Sequence, residues 1–313
     1  MMLPVIYHPI YSDLPLPAEH RYPINKYRYL FTAIQEQIAS CPQWQNTIQF
    51  YQPQPLSLTE VKQIHCRQYV DSLSSGTLPA AKMRRIGFPW SEALIKRTLT
   101  SAGGSVLTAQ QALQHGLAIH LSGGYHHAHH DFGSGFCLLN DLVLAAHVAL
   151  QQPEVDKVLI IDSDVHHGDG TATLCQQRDD IITLSFHCEK NFPARKPDSD
   201  LDVPLARNCD DKEFLAAFCD VVPMAIQCYR PDLIIYDAGV DIHQQDELGY
   251  LNVSSDAIYQ RDLFVLQRAK QWGIPIAAVV GGGYRSNHHD LVPLHMQLLK
   301  AAIQITNNVS FTT

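Results

Sequence analysis

With 313 residues, 46% of them hydrophobic, the chain can bury one large core or two small ones. Its formal net charge of −8 argues against nucleic acid or an anionic membrane surface as the main partner. Eight cysteines form no C-x-x-C pair and no regular framework, so they read as reduced thiols rather than a disulfide scaffold.

The start, "MMLPVIYHPIYSDLPLP", lacks a basic stretch followed by a long apolar run, so no secretory signal is expected. No run has the apolar length of a membrane helix, and a cytoplasmic location is the expectation. In chain order, apolar β-branched runs occur at "VIY" (5), "IQFY" (48), "LAIHL" (117), "VLIID" (158), "IITLSF" (181), "LIIYDAG" (233) and "IAAVVGGG" (276). Most are apolar on both faces, as buried parallel strands are. Helical patterns fall between them. "YRYLFTAIQEQI" puts Tyr27, Leu30, Phe31, Ile34 and Ile38 on one face. Ser57 with Glu60, and Asp210 with Glu213, have capping-box spacing, and Gly273 marks a helix end. Such alternation predicts right-handed βαβ units and one domain over residues 1–313, since no linker, repeat or low-complexity tract divides the chain.

Chemistry gathers where strands end, which is where open α/β sheets build their sites. "VLIIDSDVHHGDG" (158–170) crowds Asp162, Asp164, His166, His167 and Asp169 into one turn. Unpartnered buried charges at that density cost several kcal/mol each, and a cation would resolve the conflict. The alternative is a solvated acidic turn with His166 on its surface. Three further strand ends weigh against it. "LAIHLSGG" runs into Tyr125, His126, His127, His129 and His130, "LIIYDAGV" ends at Asp241, and "IAAVVGGG" ends at Tyr284.

Asp164 and His166 are alternate residues on an extended strand end, so both can face one way, and Asp241 from another strand would complete a mixed O/N set for Zn²⁺ or Fe²⁺. His126 and His127 could supply acid and base, with Asp162 and Asp169 as the spare carboxylates that fix imidazole tautomers. His129 and His130 read as exposed loop residues outside the site.

"GGYHHAHHDFGSGFCLLNDLVLAA", "IIDSDVHHGDG", "LIIYDAGVDIHQQDELGYLNVS" and "VVGGGY" resemble, in order, the signature blocks of zinc-dependent histone deacetylases. The similarity runs over roughly residues 1–300 and is strongest from 119 to 285; the block after Asp241 looks most like class IV members and bacterial relatives. The resemblance implies an arginase/deacetylase fold: an α/β domain with a mostly parallel sheet of about eight strands, flanked by helices. It puts zinc on Asp164, His166 and Asp241 and assigns His126 and His127 as the active-site histidines, His127 being the general base and acid. Their carboxylate partners would be Asp162 and Asp169, and the transition-state tyrosine Tyr284. Tunnel walls would be Gly135, Phe136 and Phe192. A structural K⁺ would lie near Asp162, Asp164, His166, Ser185 and Phe186.

Two features differ from the pattern. Segment 66–100 lacks the acidic rim loop of class I enzymes, since no aspartate follows Asp71 before Gly103. The N-terminal "HRYPINKYRYL" resembles the bacterial relatives, leaving open which of Arg21, Lys26 and Arg28 reaches the site.

The expected activity is metal-dependent hydrolysis of an acyl group, acetyl or longer, from acyl-lysine in a protein or from a small acylated amine, with neither nucleic acid nor membrane as direct partner. The oligomeric state stays open. One rival is an arginase-like ureohydrolase, but Tyr125 stands in "GGYHH" where a second-metal aspartate would be. The other is a catalytically silent module that binds acylated ligands.

Overall fold

Eight short segments form strands: β1 (Leu3–Ile6), β2 (Ile48–Tyr51), β3 (Leu117–His120), β4 (Val158–Asp162), β5 (Ile181–Cys188), β6 (Leu201–Leu205), β7 (Leu233–Asp237) and β8 (Ile276–Val279). The computed structural model describes residues 2–307. All pairings between these strands are parallel, in the order β2-β1-β3-β8-β7-β4-β5-β6. Seven strands lie on the apolar runs of the sequence. The eighth, β6, was not expected there. "LDVPL" alternates between half-buried and exposed residues up to buried Leu205 and holds Pro204, which an edge strand tolerates because one side of it has no ladder to complete.

Long helices cover the sheet in two sets. Glu92–His115 packs with Asp141–Ala149, while Lys26–Ser40, Asp211–Tyr229, Ser255–Trp272 and Val292–Asn307 form a connected second set. The first helix of that second set buries Tyr27, Leu30 and Ile34, as its spacing requires, and leaves Phe31 and Ile38 half-buried against the core. Ser57 and Glu60 make a reciprocal capping box, and Asp210 accepts the N–H of Glu213 at 3.0 Å. Gly273 ends its helix in the left-handed region at φ 69°. Among the described residues no helix is long and apolar enough to cross a membrane.

The strand order positions the site. β3, β8, β7 and β4 are consecutive neighbours and parallel, so the loops after them leave the same edge of the sheet. Those are the four strand ends that carry the unusual polar residues.

Helix Glu92–His115 comes close to the preceding main chain. A Cβ on Gly103 would overlap the carbonyl oxygen of Gln54. Gly→Ala inside a helix ordinarily gains up to about 1 kcal/mol. Here the sign reverses: Gly103→Ala is expected to destabilise by about 1–3 kcal/mol, the usual cost of overpacking against groups that cannot move. A urea midpoint at or above that of the wild type would contradict the close approach.

His120 and His65 are buried where charge on the ring is disfavoured. His120 bonds Ser105 Oγ at 3.0 Å and the Tyr11 hydroxyl at 2.8 Å, and burial with the nearby Arg97 charge pushes its pKa down to about 3. His65 donates to the His129 carbonyl at 2.9 Å and accepts the Asn140 N–H at 3.0 Å; burial lowers it to about 4. With folded pKa values below the unfolded one, the unfolded chain binds more protons, so stability falls as pH drops below about 6.5. The loss approaches about 1 kcal/mol per pH unit for each histidine. Urea titrations at pH 7.5 and 5.5 check this, and an unchanged midpoint would refute it.

Candidate metal centre and active site

At the edge shared by the four central strands, β4 ends at Asp162, and the chain bends through Ser163–Gly168 before helix Asp169–Cys175 begins. Asp164 and His166 therefore lie on a bend rather than on the strand, yet they face the same way. His166 Nδ1 is 2.9 Å from Asp164 Oδ1 and 3.2 Å from Asp241 Oδ2. Candidate ligand atoms of Asp164, His166 and Asp241 all fall within 4.8 Å of one another, and all three residues are buried. Main-chain donors orient two of the carboxylates. Val165 N–H meets Asp241 Oδ1 at 2.9 Å, and His166 N–H meets Asp164 Oδ1 at 2.9 Å.

The trio fits a divalent cation on three counts. Asp241 Oδ2 is buried and receives no well-aligned hydrogen bond, although His166 Nδ1 lies 3.2 Å away, an expensive state for a carboxylate oxygen. Burial opposes charge on His166, but the two carboxylates outweigh it and raise its pKa to about 10, so the pocket draws in positive charge. A side chain on Gly282 would overlap both Asp164 Oδ2 and Asp241 Oδ2, so the turn after β8 leaves that space open.

The paired histidines sit against the trio. His126 Nδ1 is 2.7 Å from Asp162 Oδ2, and His127 Nδ1 is 2.6 Å from Asp169 Oδ1. Their Nε2 atoms converge at 3.1 Å. Environment separates the two rings. Burial disfavours charge on both. For His126, Asp162 and Asp164 more than compensate and hold it well above the ordinary imidazole range. For His127, the His126 charge adds to burial and pushes it down to about 3. The surroundings thus favour charge on His126 and disfavour it on His127, with a carboxylate at the Nδ1 of each.

Tyr284 follows the glycine turn, half-buried, its ring centroid 6.2 Å from that of His166. Burial and the Asp164 and Asp241 charges keep its phenol protonated well above the ordinary range. The Asp246 carboxylate accepts Tyr284 N–H at 2.6 Å and ties the turn to the loop after Asp241.

Of these groups His127, His166, Asp169 and Tyr284 line a cavity of about 890 Å³, together with Gly135, Phe136 and Phe192. The Phe192 ring is 4.8 Å from His127, and Phe136, held at φ 67° by its N–H to Ile86 O, faces Tyr284 at 6.0 Å. Of the expected K⁺ group, Ser185 pairs with Asp162 in the β4–β5 register, whereas the Phe186 side chain stacks on Phe218 at 3.8 Å. Only its main chain is left to face the cluster.

Other residues at the site escaped the sequence reading. His129, expected to be an exposed loop residue, joins the relay: its Nε2 is 3.1 Å from Asp169 Oδ2 and its Nδ1 is 2.8 Å from Thr173 Oγ1. His130 is exposed as expected. Asp237, at the end of β7, has both oxygens buried without donors and lies in a second cluster with His126 and Asp162. Arg261 donates to Gly239 O at 2.7 Å and Ala238 O at 3.3 Å, fixing the loop that carries Asp241. Of the three N-terminal cations, buried Lys26 reaches Gly281 O at 2.8 Å, Arg21 lines the cavity, and exposed Arg28 bonds Asn25 at 2.9 Å. Tyr125 turns its hydroxyl to Ser122 (3.0 Å) and Arg97 (3.2 Å), so it offers nothing to a second metal.

Residues 20–298 match the histone deacetylase domain family. The chain belongs to the histone deacetylase family. It is similar to an uncharacterized protein of Picosynechococcus, 44% identical over 96% of this chain and 99% of that one. Histone deacetylase 2 of Arabidopsis thaliana is 29% identical over 74% of this chain and 62% of its own length. Histone deacetylase RPD3 of Saccharomyces cerevisiae is 32% identical over 76% and 58%. The chain thus spans about three-fifths of these two longer relatives. Members of the family generally use a divalent metal, which agrees with the clusters above.

If Asp164, His166 and Asp241 hold that metal, the wild-type chain binds one Zn²⁺ per chain after dialysis and Asp241→Ala binds none, as counted by elemental analysis. Full occupancy in the variant would remove Asp241 from the ligand set. Two ions per wild-type chain would favour a binuclear centre using His126, Asp162 and Asp237.

Proposed function

We propose that the chain is a metal-dependent amidohydrolase that removes an acyl group, acetyl or longer, from acyl-lysine or a lysine-like amine. The observation that carries this reading is an imidazole held neutral, His127, and a phenol held protonated, Tyr284, lining the same cavity as His166 of the Asp164–His166–Asp241 trio. Zn²⁺ or Fe²⁺ bound there would supply Lewis-acid polarisation of the amide carbonyl. The remaining roles fall to side chains.

His127 takes the proton of the attacking water, while Asp169 holds its Nδ1–H and leaves Nε2 as the accepting atom. Cationic His126, next to it, makes a second positive charge on His127 costly, so His127 gives its proton up readily to the departing amine. The Tyr284 hydroxyl donates to the carbonyl oxygen as negative charge develops there. Phe136 and Phe192 flank the approach, where apolar walls admit an aliphatic lysine stem and exclude water. Family likeness alone supports a K⁺ site at Asp162, Asp164, His166, Ser185 and Phe186, held partly by main-chain carbonyls.

The test is turnover of a fluorogenic acetyl-lysine substrate by the metal-loaded chain. His127→Ala is expected to retain metal and lose roughly two to four orders of magnitude in kcat. Tyr284→Phe removes only a hydroxyl; it is expected to bind metal and substrate nearly normally and lose roughly 10²–10³ in kcat. A near wild-type rate for Tyr284→Phe would refute the mechanism, whereas an absence of turnover in the wild type on any acyl-lysine would favour a silent binding module.

A further inference from the structure

The cavity mouth has the opposite sign to the chain as a whole. Against a net charge of −8, three arginines, Arg21, Arg85 and Arg195, line the cavity together with only two carboxylates, Asp169 and Glu247. Both carboxylates are already engaged. Asp169 serves His127 and His129, and Glu247 accepts Ser286 N–H at 2.6 Å and Ser286 Oγ–H at 3.0 Å. All three arginines are exposed, and among the described residues none has a carboxylate within ion-pair distance.

Their main chain is well anchored. On either side of Arg21, His20 Nε2 bonds Gly87 O at 2.8 Å, and the Tyr22 hydroxyl accepts from Arg97 at 2.9 Å. Arg85 lies in the last turn of helix Ala80–Ile86 with its guanidinium 3.9 Å from the Phe132 ring centroid. Next to Arg195, Lys196 Nζ donates to Asn191 O and Pro193 O, each at 2.8 Å. Three segments far apart in sequence therefore each hold a guanidinium at one opening.

We propose that Arg21, Arg85 and Arg195 form a carboxylate-binding rim, and that the favoured substrates are acyl-amines whose carrier bears carboxylates beside the acylated nitrogen. The inference rests on the deacylase reading above and adds to it the chemistry of the carrier. Guanidinium groups pair with carboxylates in two-point geometry, and like charges gathered at a cleft mouth focus their field on an incoming ligand. Polyamines and lysine-rich peptides would bring positive charge to the same rim. The class I acidic loop is absent, and Asp71 instead pairs with Lys62 at 2.5 Å on helix Arg67–Ser74.

The test uses two peptides labelled with a neutral dye, each with a central acetyl-lysine, one flanked by two aspartates and one by two lysines. Binding is read by fluorescence anisotropy on Tyr284→Phe, to slow turnover, and hydrolysis by the metal-loaded wild type is followed in parallel. The acidic peptide is expected to bind roughly tenfold or more tighter, three modest ion pairs acting together, with the preference shrinking in high salt. Placing R21E, R85E and R195E together is expected to reverse the order, and Arg195→Gln alone to weaken it should the triple variant not fold. Competition by free Nε-acetyl-lysine but not by its α-amide would assign the carboxylate to a small amino-acid carrier; competition by neither would assign it to a peptide. Equal binding, or tighter binding of the basic peptide, overturns the rim. Hydrolysis without charge preference would leave the deacylase reading standing and the rim refuted. Arginine-dependent binding without hydrolysis would do the reverse.

Discussion

Crowding of carboxylates in a desolvated place is the constraint on which this structure turns. Asp162, Asp164, Asp237 and Asp241 are all buried at the ends of adjacent parallel strands, where their mutual repulsion is poorly screened. Much of the surrounding architecture answers that repulsion. The carboxylates draw the pKa values of His126 and His166 upward, Lys26 Nζ lies close enough to feel the same carboxylates, and main-chain N–H groups point at the oxygens. A divalent cation bound by the trio would displace any proton on His166 and supply the largest compensating charge. The folding cost of gathering the acids and the affinity for a metal are two aspects of one electrostatic arrangement.

The same field sorts two chemically identical side chains into different roles. His126 faces Asp162 and Asp164, and His127 faces Asp169 with His126 behind it. Neighbouring positions in the sequence are thereby pushed in opposite directions, His126 toward the cation and His127 toward the neutral ring. Nothing intrinsic to histidine makes that distinction; the placement of carboxylates does.

The strands and the trio were legible because each rests on local signals: buried parallel strands are apolar throughout, and polar residues at their ends stand out. Strand β6 failed that rule because an edge strand needs only one apolar face, and "LDVPL" looks like loop. Asp237 was passed over because "YDAG" hides a carboxylate inside an apolar run, and its importance comes from Asp162 across the sheet. His129 seemed to be one of several loop histidines until helix Asp169–Cys175 brought Thr173 and Asp169 beneath it. Lys26 and Arg261 could not have been assigned from spacing, since each acts on a carbonyl supplied by a distant segment and no side-chain pattern records a carbonyl.

The contact between Lys26 Nζ and Gly281 O joins residues 255 positions apart. During synthesis from the N-terminus, Asp164 and His166 emerge well before Asp241, and the glycine turn follows later still. A ribosome-bound chain stopped before β8 would hold all three candidate ligands but lack the glycine turn and Tyr284, and its Lys26 would have no carbonyl to meet. β8 also lies between β3 and β7, so the sheet cannot close until that late strand inserts at its centre. Formation of the whole pocket is thereby coupled to the insertion of β8, and a product without that strand lacks the phenol and the turn that complete it.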